Sequence, residues 1–355
     1  MEYTILAQQM DAFVENNHIP GYALEILENR QATYIRTHGY VDIAQQRPVR
    51  MDSIFRLMSM SKPITAVAAM MLVEKGMLRL DDPLTRYLKE VPSPDLTILN
   101  LLNHTSGWGM GDETAVNRVY QQETTLAGRA REWSKLPLDF PPNTQTGYSA
   151  MVALDVMGYI IQQVSGQIFQ DFLVQHIFRP LGMADTGFLL TPQQQTRVAR
   201  LYCAENGTLT DVTDTEPSVA RLDANRNGYF SGSGGMVGTL QDYVQFACML
   251  SNQGTWNGVQ ILRPETVAAM GTSTMPEGVV LGPGMRWGIG MLVHDADSPL
   301  PLPVGTFGWS GAYGTHFWID PAQDMAVVLM VNVSNIGGVG SHVSRALEQL
   351  VYTAV

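Results

Sequence analysis

Apolar positions recur with two different periods along this chain, and the period changes with position. Helical spacing over residues 3–17 is followed by two strand-like runs, 21–27 and 32–39, which a polar turn joins. Beyond residue 285, short apolar runs predict further strands at 287–293, 306–309, 316–319 and 325–333. Helical spacing then returns and predicts a last helix over 339–352.

The middle of the chain has a mainly helical pattern. Residues 59–75 predict a buried helix, because apolar side chains line it and Gly76 can close it. A second long helix is predicted over 151–164, with Ser149 as its N-cap and Gly166 just past its end. Shorter helices are predicted at 96–102, 239–252 and 264–270.

Strand-forming runs therefore lie at both ends of the chain, and helices lie between them. The simplest assembly is an α+β fold, in which the terminal strands pair into one antiparallel sheet that the terminal helices cover. Residues 1–80 and 216–355 would form this discontinuous sheet subdomain, and residues 81–215 an inserted, mainly helical subdomain. A cleft between the two is the expected place for a small-molecule site.

Composition narrows the classes of function. The 355 residues are 45% hydrophobic, enough for a large core, and the net charge is −11 with only 15% charged residues. An acidic chain repels phosphate backbones, so nucleic acid is not an expected partner. The seven histidines and two cysteines show no metal-ligand spacing, so a metal site is not expected.

The start of the chain and its longest apolar run bear on location. An early Glu2 and the lack of any basic residue before Arg30 do not fit a secretory signal peptide. The longest nearly apolar stretch, 66–73, is too short to span a bilayer. We therefore expect a cytoplasmic protein that does not insert into membranes, with Cys203 and Cys248 reduced.

Ser59 and Lys62 open the predicted buried helix. Three residues apart, they share one helix face, where a lysine amine could take the proton of the serine hydroxyl. Leu57, Met58 and Ile64 would keep the pair partly dry, which favours a neutral amine. Backbone N–H groups at the helix start could stabilise an oxyanion. Ser-x-x-Lys alone is a weak signal, and the alternative is the surface-facing start of a helix.

Two further segments could contribute to the same site. Tyr148 stands just ahead of a predicted helix, after a proline-containing approach at 141–147, and could point into the cleft beside Lys62. The run 308–316 is rich in small residues, so its backbone can approach a ligand closely and offer N–H donors. The ordinary alternatives are a tyrosine that packs a loop and a glycine-rich strand edge.

Together these segments resemble the serine β-lactamase and penicillin-recognising superfamily, in which Ser-x-x-Lys is the nucleophile motif. The match extends to the Leu-Leu-Asn-His-Thr-Ser-Gly run at 101–107, to Tyr148-Ser149-Ala150 and to the Ser-Gly-Gly-Met turn at 233–236 with Asp242-Tyr243. It covers nearly the whole chain and is closest to the class C β-lactamases and the family VIII carboxylesterases. It implies a β-lactamase/penicillin-binding-protein-like fold, with an antiparallel sheet flanked by helices and an inserted helical subdomain.

The resemblance implies roles for individual residues. Ser59 would be the nucleophile, and Lys62 with Tyr148 would accept and return its proton. The N–H groups of Ser59 and Ala312 would hold the oxyanion, and no metal or cofactor would be required. The other residues that the resemblance places at the oxyanion and substrate site are Trp309, Ser310 and Gly311.

Departures from the superfamily pattern indicate the reaction. Its lactamases and penicillin-binding proteins use a Lys-Thr-Gly strand whose lysine holds a substrate carboxylate. This chain has no lysine after Lys135 and carries Trp-Ser-Gly at 309–311, and Ala150 replaces the asparagine of Tyr-x-Asn. Both changes favour a neutral ester over an anionic β-lactam, and family VIII esterases show the tryptophan variant. The prediction is a carboxylesterase that hydrolyses small, short-chain esters through an acyl-enzyme on Ser59.

Alternatives stay open at this point. The same scaffold could carry a β-lactamase, a D-aminopeptidase or an acyltransferase, or a relative that binds a ligand without catalysis. The Gly-Trp-Ser-Gly-Ala run at 308–312 also comes close to Gly-x-Ser-x-Gly, the α/β-hydrolase nucleophile motif, with His342 downstream. That motif needs a strand–turn–helix context, whereas more strand pattern follows here.

Overall fold

The strands predicted at the two ends of the chain meet in one sheet. The structure, a computed structural model, describes residues 3–108, 113–215, 228–296 and 298–353. Its strands are β1 (Gly21–Glu28), β2 (Gln31–Asp42), β3 (Arg47–Pro48), β4 (Ile54–Arg56), β5 (Tyr202–Glu205), β6 (Thr208–Asp211), β7 (Val237–Thr239), β8 (Thr255–Trp256), β9 (Val259–Gln260), β10 (Met285–Trp287), β11 (Leu292–His294), β12 (Phe307–Ser310), β13 (His316–Asp320) and β14 (Met325–Met330). Eight of them form an antiparallel sheet in the order β10-β11-β12-β13-β14-β1-β2-β3.

Helices lie on both faces of this sheet. The α-helices are α1 (Thr4–Glu15), α2 (Ser61–Glu74), α3 (Ile98–Leu102), α4 (Glu113–Gln122), α5 (Leu126–Trp133), α6 (Val152–Ser165), α7 (Phe169–Leu173), α8 (Arg179–Leu181), α9 (Pro192–Gln195), α10 (Leu240–Ser251), α11 (Pro264–Met270) and α12 (His342–Thr353). Two 3-10 helices, Met58–Met60 and Leu84–Arg86, and a π-helix, Val174–Phe178, lie between them.

The two faces of the sheet carry separate hydrophobic cores, because successive side chains of a strand point to opposite sides. On one face, Leu24 and Ile26 of β1 pack with Leu6 of α1 and Leu347 of α12. On the other face, Leu27 belongs to a larger core shared with α2, α6 and α10. Each such side chain contributes roughly 1.5–3 kcal/mol on burial. The predicted α+β arrangement, with paired terminal strands under terminal helices, is confirmed.

Helix α2 runs through the larger core. All its residues from Ser61 to Leu72 are buried, as expected for a helix of mostly Ala, Val, Ile and Met without a polar face. Pro63 lies in the first turn, where a missing N–H costs no helical hydrogen bond, and Gly76 follows the helix at φ +67°. Because Lys62 belongs to this helix, it must find its polar partners inside the protein.

Residues 202–211 form a hairpin inside the segment predicted to be helical, so that prediction is wrong here. Strands β5 and β6 flank Asn206 and Gly207, whose φ angles of +50° and +72° suit a tight hairpin turn. Tyr202 bridges Val333 just beyond β14, which brings this hairpin against the sheet. The subdomain boundaries at residues 80 and 216 stay a prediction.

The prediction of a single strand over 287–293 is also wrong. The structure has two short strands, β10 and β11, joined by a turn at 288–291. Gly290 in this turn has φ +73°, donates its N–H to the carbonyl of Leu102 at 2.8 Å, and leaves only 2.3 Å between an added Cβ and the Cβ of Ala66. The close approach to α2 requires a glycine and interrupts the strand.

The ends of other elements differ from the prediction by a few residues. Helix α6 begins at Val152 with Met151 as its N-cap, so Ser149 is not the cap, although its Oγ accepts the N–H of Ala153 at 3.0 Å. Gly166 ends this helix in the left-handed conformation, as predicted. Among the other differences, β14 ends at Met330, predicted at 333, and α12 starts at His342, predicted at 339.

Two findings bear on location and redox chemistry. Among the helices of the described ranges, none is long and apolar enough to cross a membrane. Both cysteines are free thiols. Cys248 is buried in α10, and Cys203 is half-buried in β5. A buried free thiol packs as a small apolar group.

Glu25 of β1 is an acidic side chain that faces the larger core. It is 7% exposed, and burial raises its pKa from 4.5 to about 7. The folded protein therefore holds this proton more tightly than the unfolded chain does. It follows that the free energy of unfolding falls as the pH rises from 4.5 to 7.

We expect Glu25→Gln to remove this pH-dependent loss of stability. At pH 8 the variant should be about 2 kcal/mol more stable than the wild type, because no charge has to be buried. Below the unfolded pKa the two proteins should differ little. Urea unfolding at pH 4 and pH 8 measures the difference, and Glu15→Gln at an exposed helix end is the control. An unchanged pH slope in Glu25→Gln would contradict the argument.

Candidate active site

The turn between β4 and α2 presents Ser59. Leu57 is fixed by its N–H bond to the carbonyl of Met236 at 3.0 Å, and Met58 adopts a left-handed φ of +49°. This conformation costs a methionine about 1–2 kcal/mol, which the surrounding contacts must offset. Ser59 follows within the 3-10 helix, and it is partly exposed whereas both its neighbours are buried. The turn therefore makes this hydroxyl accessible.

Lys62 lies wholly inside the protein, one helical turn after Ser59, and its amine contacts three acceptors. Nζ lies 3.2 Å from Oγ of Ser59, 2.8 Å from the carbonyl oxygen of Ala150 and 2.9 Å from the carbonyl oxygen of Ser233. The side chain is 0% exposed, so these three contacts replace its hydration.

The three contacts of Lys62 are compatible with two protonation states. An ammonium has three N–H donors, one for each acceptor. A neutral amine has two N–H donors for the carbonyls of Ala150 and Ser233, and its lone pair is then left for the hydroxyl of Ser59. The amine can therefore receive a proton from Ser59 without changing its position.

Tyr148 contacts the same hydroxyl. Its Oη donates to Oγ of Ser59 at 2.7 Å, and Nε1 of Trp309 lies 3.4 Å from that Oη. Nζ of Lys62 lies 4.9 Å from the centre of the Tyr148 ring, within cation–π range. The structure thus brings together the three side chains that the sequence predicts as the catalytic set, with the serine hydroxyl shared by an amine and a phenol.

The loop before Tyr148 is held by hydrogen bonds to residues 100–107. Nδ2 of Asn100 donates to Oδ1 of Asn143 at 2.7 Å, and the N–H of Asn143 donates to the carbonyl of Thr105 at 3.0 Å. These bonds fix the path of the proline-containing approach, so Tyr148 enters the site from a constrained loop.

The buried carboxylate of Asp155 fixes the turn whose carbonyl group, that of Ser233, contacts Lys62. Asp155 of α6 accepts hydrogen bonds from Oγ of Ser231 at 2.7 Å and from the N–H of Ser233 at 2.8 Å, and the hydroxyl of Tyr229 also donates to it. Burial raises the pKa of Asp155, and these donors oppose the rise. Asp155 thereby fixes the turn from which Ser233 reaches Lys62.

Aromatic rings form one wall of the site. Trp309 of β12 lies beside Tyr148, with ring centres 5.2 Å apart, and 4.7 Å from Trp287 of β10. The rings of Trp287 and Tyr148 are nearly parallel, with centres 5.9 Å apart. Trp287 is buried and Trp309 is partly exposed, so the side of the site next to Tyr148 is aromatic, and its polar groups are the indole N–H of Trp309 and the phenol.

The turn after β12 is tied to the segment before Ser59. Oγ1 of Thr315 donates to the carbonyl oxygen of Leu57 at 3.0 Å, and a Cβ on Gly311 would lie 2.3 Å from that oxygen, so only glycine fits. Within the ranges that the structure describes, the backbone N–H groups of Ser59 and Ala312 donate to no other group. Both stay available for a developing negative charge.

Ser310 points away from Trp309, to the opposite face of the sheet, and is 3% exposed. Its Oγ lies 2.6 Å from Nδ1 of His316, whose Nε2 lies 3.0 Å from Oε1 of Glu348. The cavity beside these side chains holds about 10 Å³, room for one water molecule and not for an ester. The hydroxyl of Ser310, predicted at the substrate site, therefore points away from Ser59.

The resemblance of 308–312 to Gly-x-Ser-x-Gly also fails on context. Strand β12 is followed by a short turn and then by β13, its antiparallel neighbour, and not by a helix. The α/β-hydrolase motif requires a strand–turn–helix junction that exposes the serine. This alternative is therefore contradicted by the structure.

Sequence reasoning missed several groups on which the site depends. The acceptors from Ala150 and Ser233 are backbone carbonyls, which no side-chain pattern reveals. Asp155, Trp287 and His104 do carry distinctive side chains, but no spacing rule connects them with the nucleophile. Only the resemblance of the 101–107 run to a superfamily segment could have drawn attention to His104.

Comparisons with known proteins agree with this geometry. A family model described as Beta-lactamase matches residues 6–349. The curated protein Esterase EstB of Burkholderia gladioli is 29% identical and covers 98% of this chain and 95% of its own. The Beta-lactamase of Escherichia coli (strain K12) is 23% identical, over 92% of this chain and 88% of its own.

A solved structure extends the match. EstCE1, described as a hydrolase with promiscuous acyltransferase activity, superposes with a TM-score of 0.85 at 26% identity and covers 97% of both chains. The resemblance to esterase-like members of the serine β-lactamase fold, predicted from the motifs, is thereby confirmed. This chain belongs to the Beta-lactamase family and is a serine hydrolase of that fold.

Proposed function

We propose that this protein is a carboxylesterase that hydrolyses small, short-chain neutral esters through an acyl-enzyme on Ser59. One observation carries the proposal: the partly exposed hydroxyl of Ser59 lies 3.2 Å from Nζ of Lys62 and 2.7 Å from Oη of Tyr148. A serine becomes a useful nucleophile when a group beside it can take its proton. The proposal needs neither a metal nor another cofactor, and its partner is the ester alone.

Acylation follows from these contacts. Oγ of Ser59 attacks the carbonyl carbon of the ester while its proton passes to the pair of Lys62 and Tyr148. The N–H groups of Ser59 and Ala312 stabilise the resulting oxyanion, where each donor typically contributes about 3–4 kcal/mol. The bond to the alcohol oxygen then breaks, and Tyr148 returns the proton to the leaving alcohol.

Deacylation uses the same groups in reverse. A water molecule gives a proton to the pair of Lys62 and Tyr148 and attacks the acyl carbon. The second oxyanion collapses, the carboxylic acid leaves, and Oγ of Ser59 recovers its proton. The two carbonyl contacts hold Nζ of Lys62 in place, so the amine can take up and return the proton without moving.

The substrate class rests on the wall of the site. The partly exposed ring of Trp309, backed by the buried ring of Trp287, offers apolar surface on the Tyr148 side of Ser59, and the chain has no lysine after Lys135 that could pair with a substrate carboxylate. An unpaired carboxylate loses its hydration against such a surface, whereas a neutral acyl group gains contact area. A neutral ester therefore fits better than an anionic β-lactam.

Removing the nucleophile should abolish the reaction. We expect Ser59→Ala to lower kcat for p-nitrophenyl acetate by at least about 10⁴-fold, because the proposed acyl-enzyme forms on this hydroxyl. Covalent labelling by a fluorophosphonate should disappear with it. Mass spectrometry of the labelled wild type should place the adduct on Ser59.

Ser310→Ala supplies the comparison for this experiment. Its hydroxyl lies 2.6 Å from Nδ1 of His316, as a serine beside a base would, but on the far face of the sheet. Labelling that survives in Ser59→Ala and is lost in Ser310→Ala would contradict the proposal. Unchanged ester turnover in Ser59→Ala would contradict it as well.

Charge on the acyl chain should control the rate. We expect the wild type to prefer p-nitrophenyl butyrate over mono-p-nitrophenyl succinate, an ester of equal length with a terminal carboxylate. The preference in kcat/KM should be about 10- to 100-fold, because an unpaired buried charge costs about 1–3 kcal/mol. Trp309→Lys should narrow the ratio, whereas the control Trp309→Phe should keep it. Equal rates for both esters in the wild type would rule out the assigned substrate class.

Acyl transfer to an alcohol is a second candidate, favoured by the activity with which EstCE1 is described. Ser59 and Ala312 are accessible, so an alcohol could reach the acyl-enzyme in place of water. Adding butanol to the ester assay should then give butyl ester in competition with free acid, measured by gas chromatography. Free acid alone at high butanol would exclude this second activity.

A further inference from the structure

His104 is buried beside the site but contacts no reacting atom described above. It is 1% exposed and has a left-handed φ of +55°, which is uncommon for a residue with a side chain. This conformation turns its carbonyl and its imidazole toward the same neighbouring segment, residues 146–149. The conformational cost indicates that surrounding contacts hold His104 in place.

The contacts of His104 bracket Tyr148 along the chain. Its carbonyl oxygen accepts hydrogen bonds from Oγ1 of Thr146 at 3.0 Å and from the N–H of Gly147 at 3.1 Å. Its Nδ1 accepts the N–H of Ser149 at 3.2 Å. One residue thus holds the backbone immediately before and immediately after Tyr148, and two fixed flanks leave the tyrosine little freedom to move away from Ser59.

The imidazole is suited to this acceptor role. Burial, and to a smaller degree the charge of Lys62, lowers the pKa of His104 well below its usual range. The ring is therefore neutral at neutral pH, and its proton lies on Nε2 because Nδ1 accepts a hydrogen bond. A protonated imidazole would lose that acceptor and would add a second cation near Lys62.

Ring packing adds a third restraint. The centre of the His104 ring lies 4.9 Å from that of Tyr148 and 4.5 Å from that of Trp287. Trp287 in turn stacks on Tyr148 and is 1% exposed. The phenol ring is therefore confined by two buried rings in addition to its restrained backbone.

We infer that His104 is a positioning residue for the proposed esterase: it holds Tyr148 at hydrogen-bond distance from Ser59 through hydrogen bonds to both flanks of the tyrosine. This inference rests on the proposed function. A displacement of the phenol by about 1 Å is enough to lower turnover by about 100-fold, although the substrate still binds.

The experiment separates the acceptor from the ring. His104→Phe keeps a ring of similar size and removes Nδ1, whereas His104→Asn keeps an acceptor near the position of Nδ1 and tolerates a left-handed φ. We expect His104→Phe to lower kcat for p-nitrophenyl butyrate by about 10- to 100-fold with KM nearly unchanged. His104→Asn should recover most of that loss, and the rate of fluorophosphonate labelling at Ser59 should follow the same order.

Controls distinguish positioning from loss of structure. His176→Phe replaces a partly buried histidine that packs against Phe172, and it should leave kcat unchanged. If His104→Phe does not fold, Thr146→Val tests the same restraint, since it removes one bond to the His104 carbonyl and should lower kcat several-fold. A wild-type value of kcat in folded His104→Phe or in Thr146→Val would overturn the inference. A kcat of His104→Asn no higher than that of His104→Phe would overturn it as well.

Failure of the proposed function would look different. The labelling rate reports how reactive Ser59 is, whatever the natural substrate. A wild type that is labelled at Ser59 but hydrolyses no ester would overturn the esterase proposal, and the labelling rates of the His104 variants would still decide the inference. A wild type active on esters, with variants of equal rate, would leave the esterase in place and refute the role of His104.

Discussion

The buried amine of Lys62 imposes the constraint on which the rest of the site depends. An amine with no exposure to water would cost several kcal/mol unless each of its hydrogen-bonding positions had a partner. Two of these partners are backbone carbonyls, from Ala150 and Ser233, and the third is the hydroxyl of Ser59. Folding around this amine therefore assembles the catalytic contacts, because the groups that compensate its burial are the ones that surround the nucleophile.

Three distant parts of the chain are brought to this amine, and each is held by a different kind of interaction. Helix α2 is held by apolar packing on every side. The segment with Ala150 follows a loop fixed by side-chain amides and by His104. The turn with Ser233 is fixed by the carboxylate of Asp155. Buried polar groups of this kind stabilise the fold only when each of them has its hydrogen-bond partners. A change in one of the three segments should therefore affect the contacts of the other two with Lys62.

The sequence was sufficient for the side chains that we propose to react and for the main layout of the fold. Ser59, Lys62 and Tyr148 could be named because their segments resemble superfamily motifs and carry residue types that the chemistry requires, and the terminal strands because their apolar runs are short. Backbone acceptors have no such signature, which is why the roles of Ala150 and Ser233 were not predicted. The break in the strand at Gly290 depends on contact with α2 about 220 residues earlier in the chain, and local pattern does not contain that information. The hairpin at 202–211 differs from this case, because its turn signal, the pair Asn206-Gly207, is visible in the sequence itself.

The strand at 307–310 shows how the pleat decides between two chemical interpretations. Judged by residue type alone, Ser310 with His316 and Glu348 has the composition of a serine, base and acid set. Alternation along β12 turns Trp309 to the cleft and Ser310 to the core under α12, so a shift of one residue in register would exchange them. The pairing of β12 with β13 fixes that register through four residue pairs. An indole therefore faces Tyr148 where the hydroxyl of Ser310 would stand in the other register, and the proposed preference for neutral esters follows from the strand pairing as much as from the residue itself.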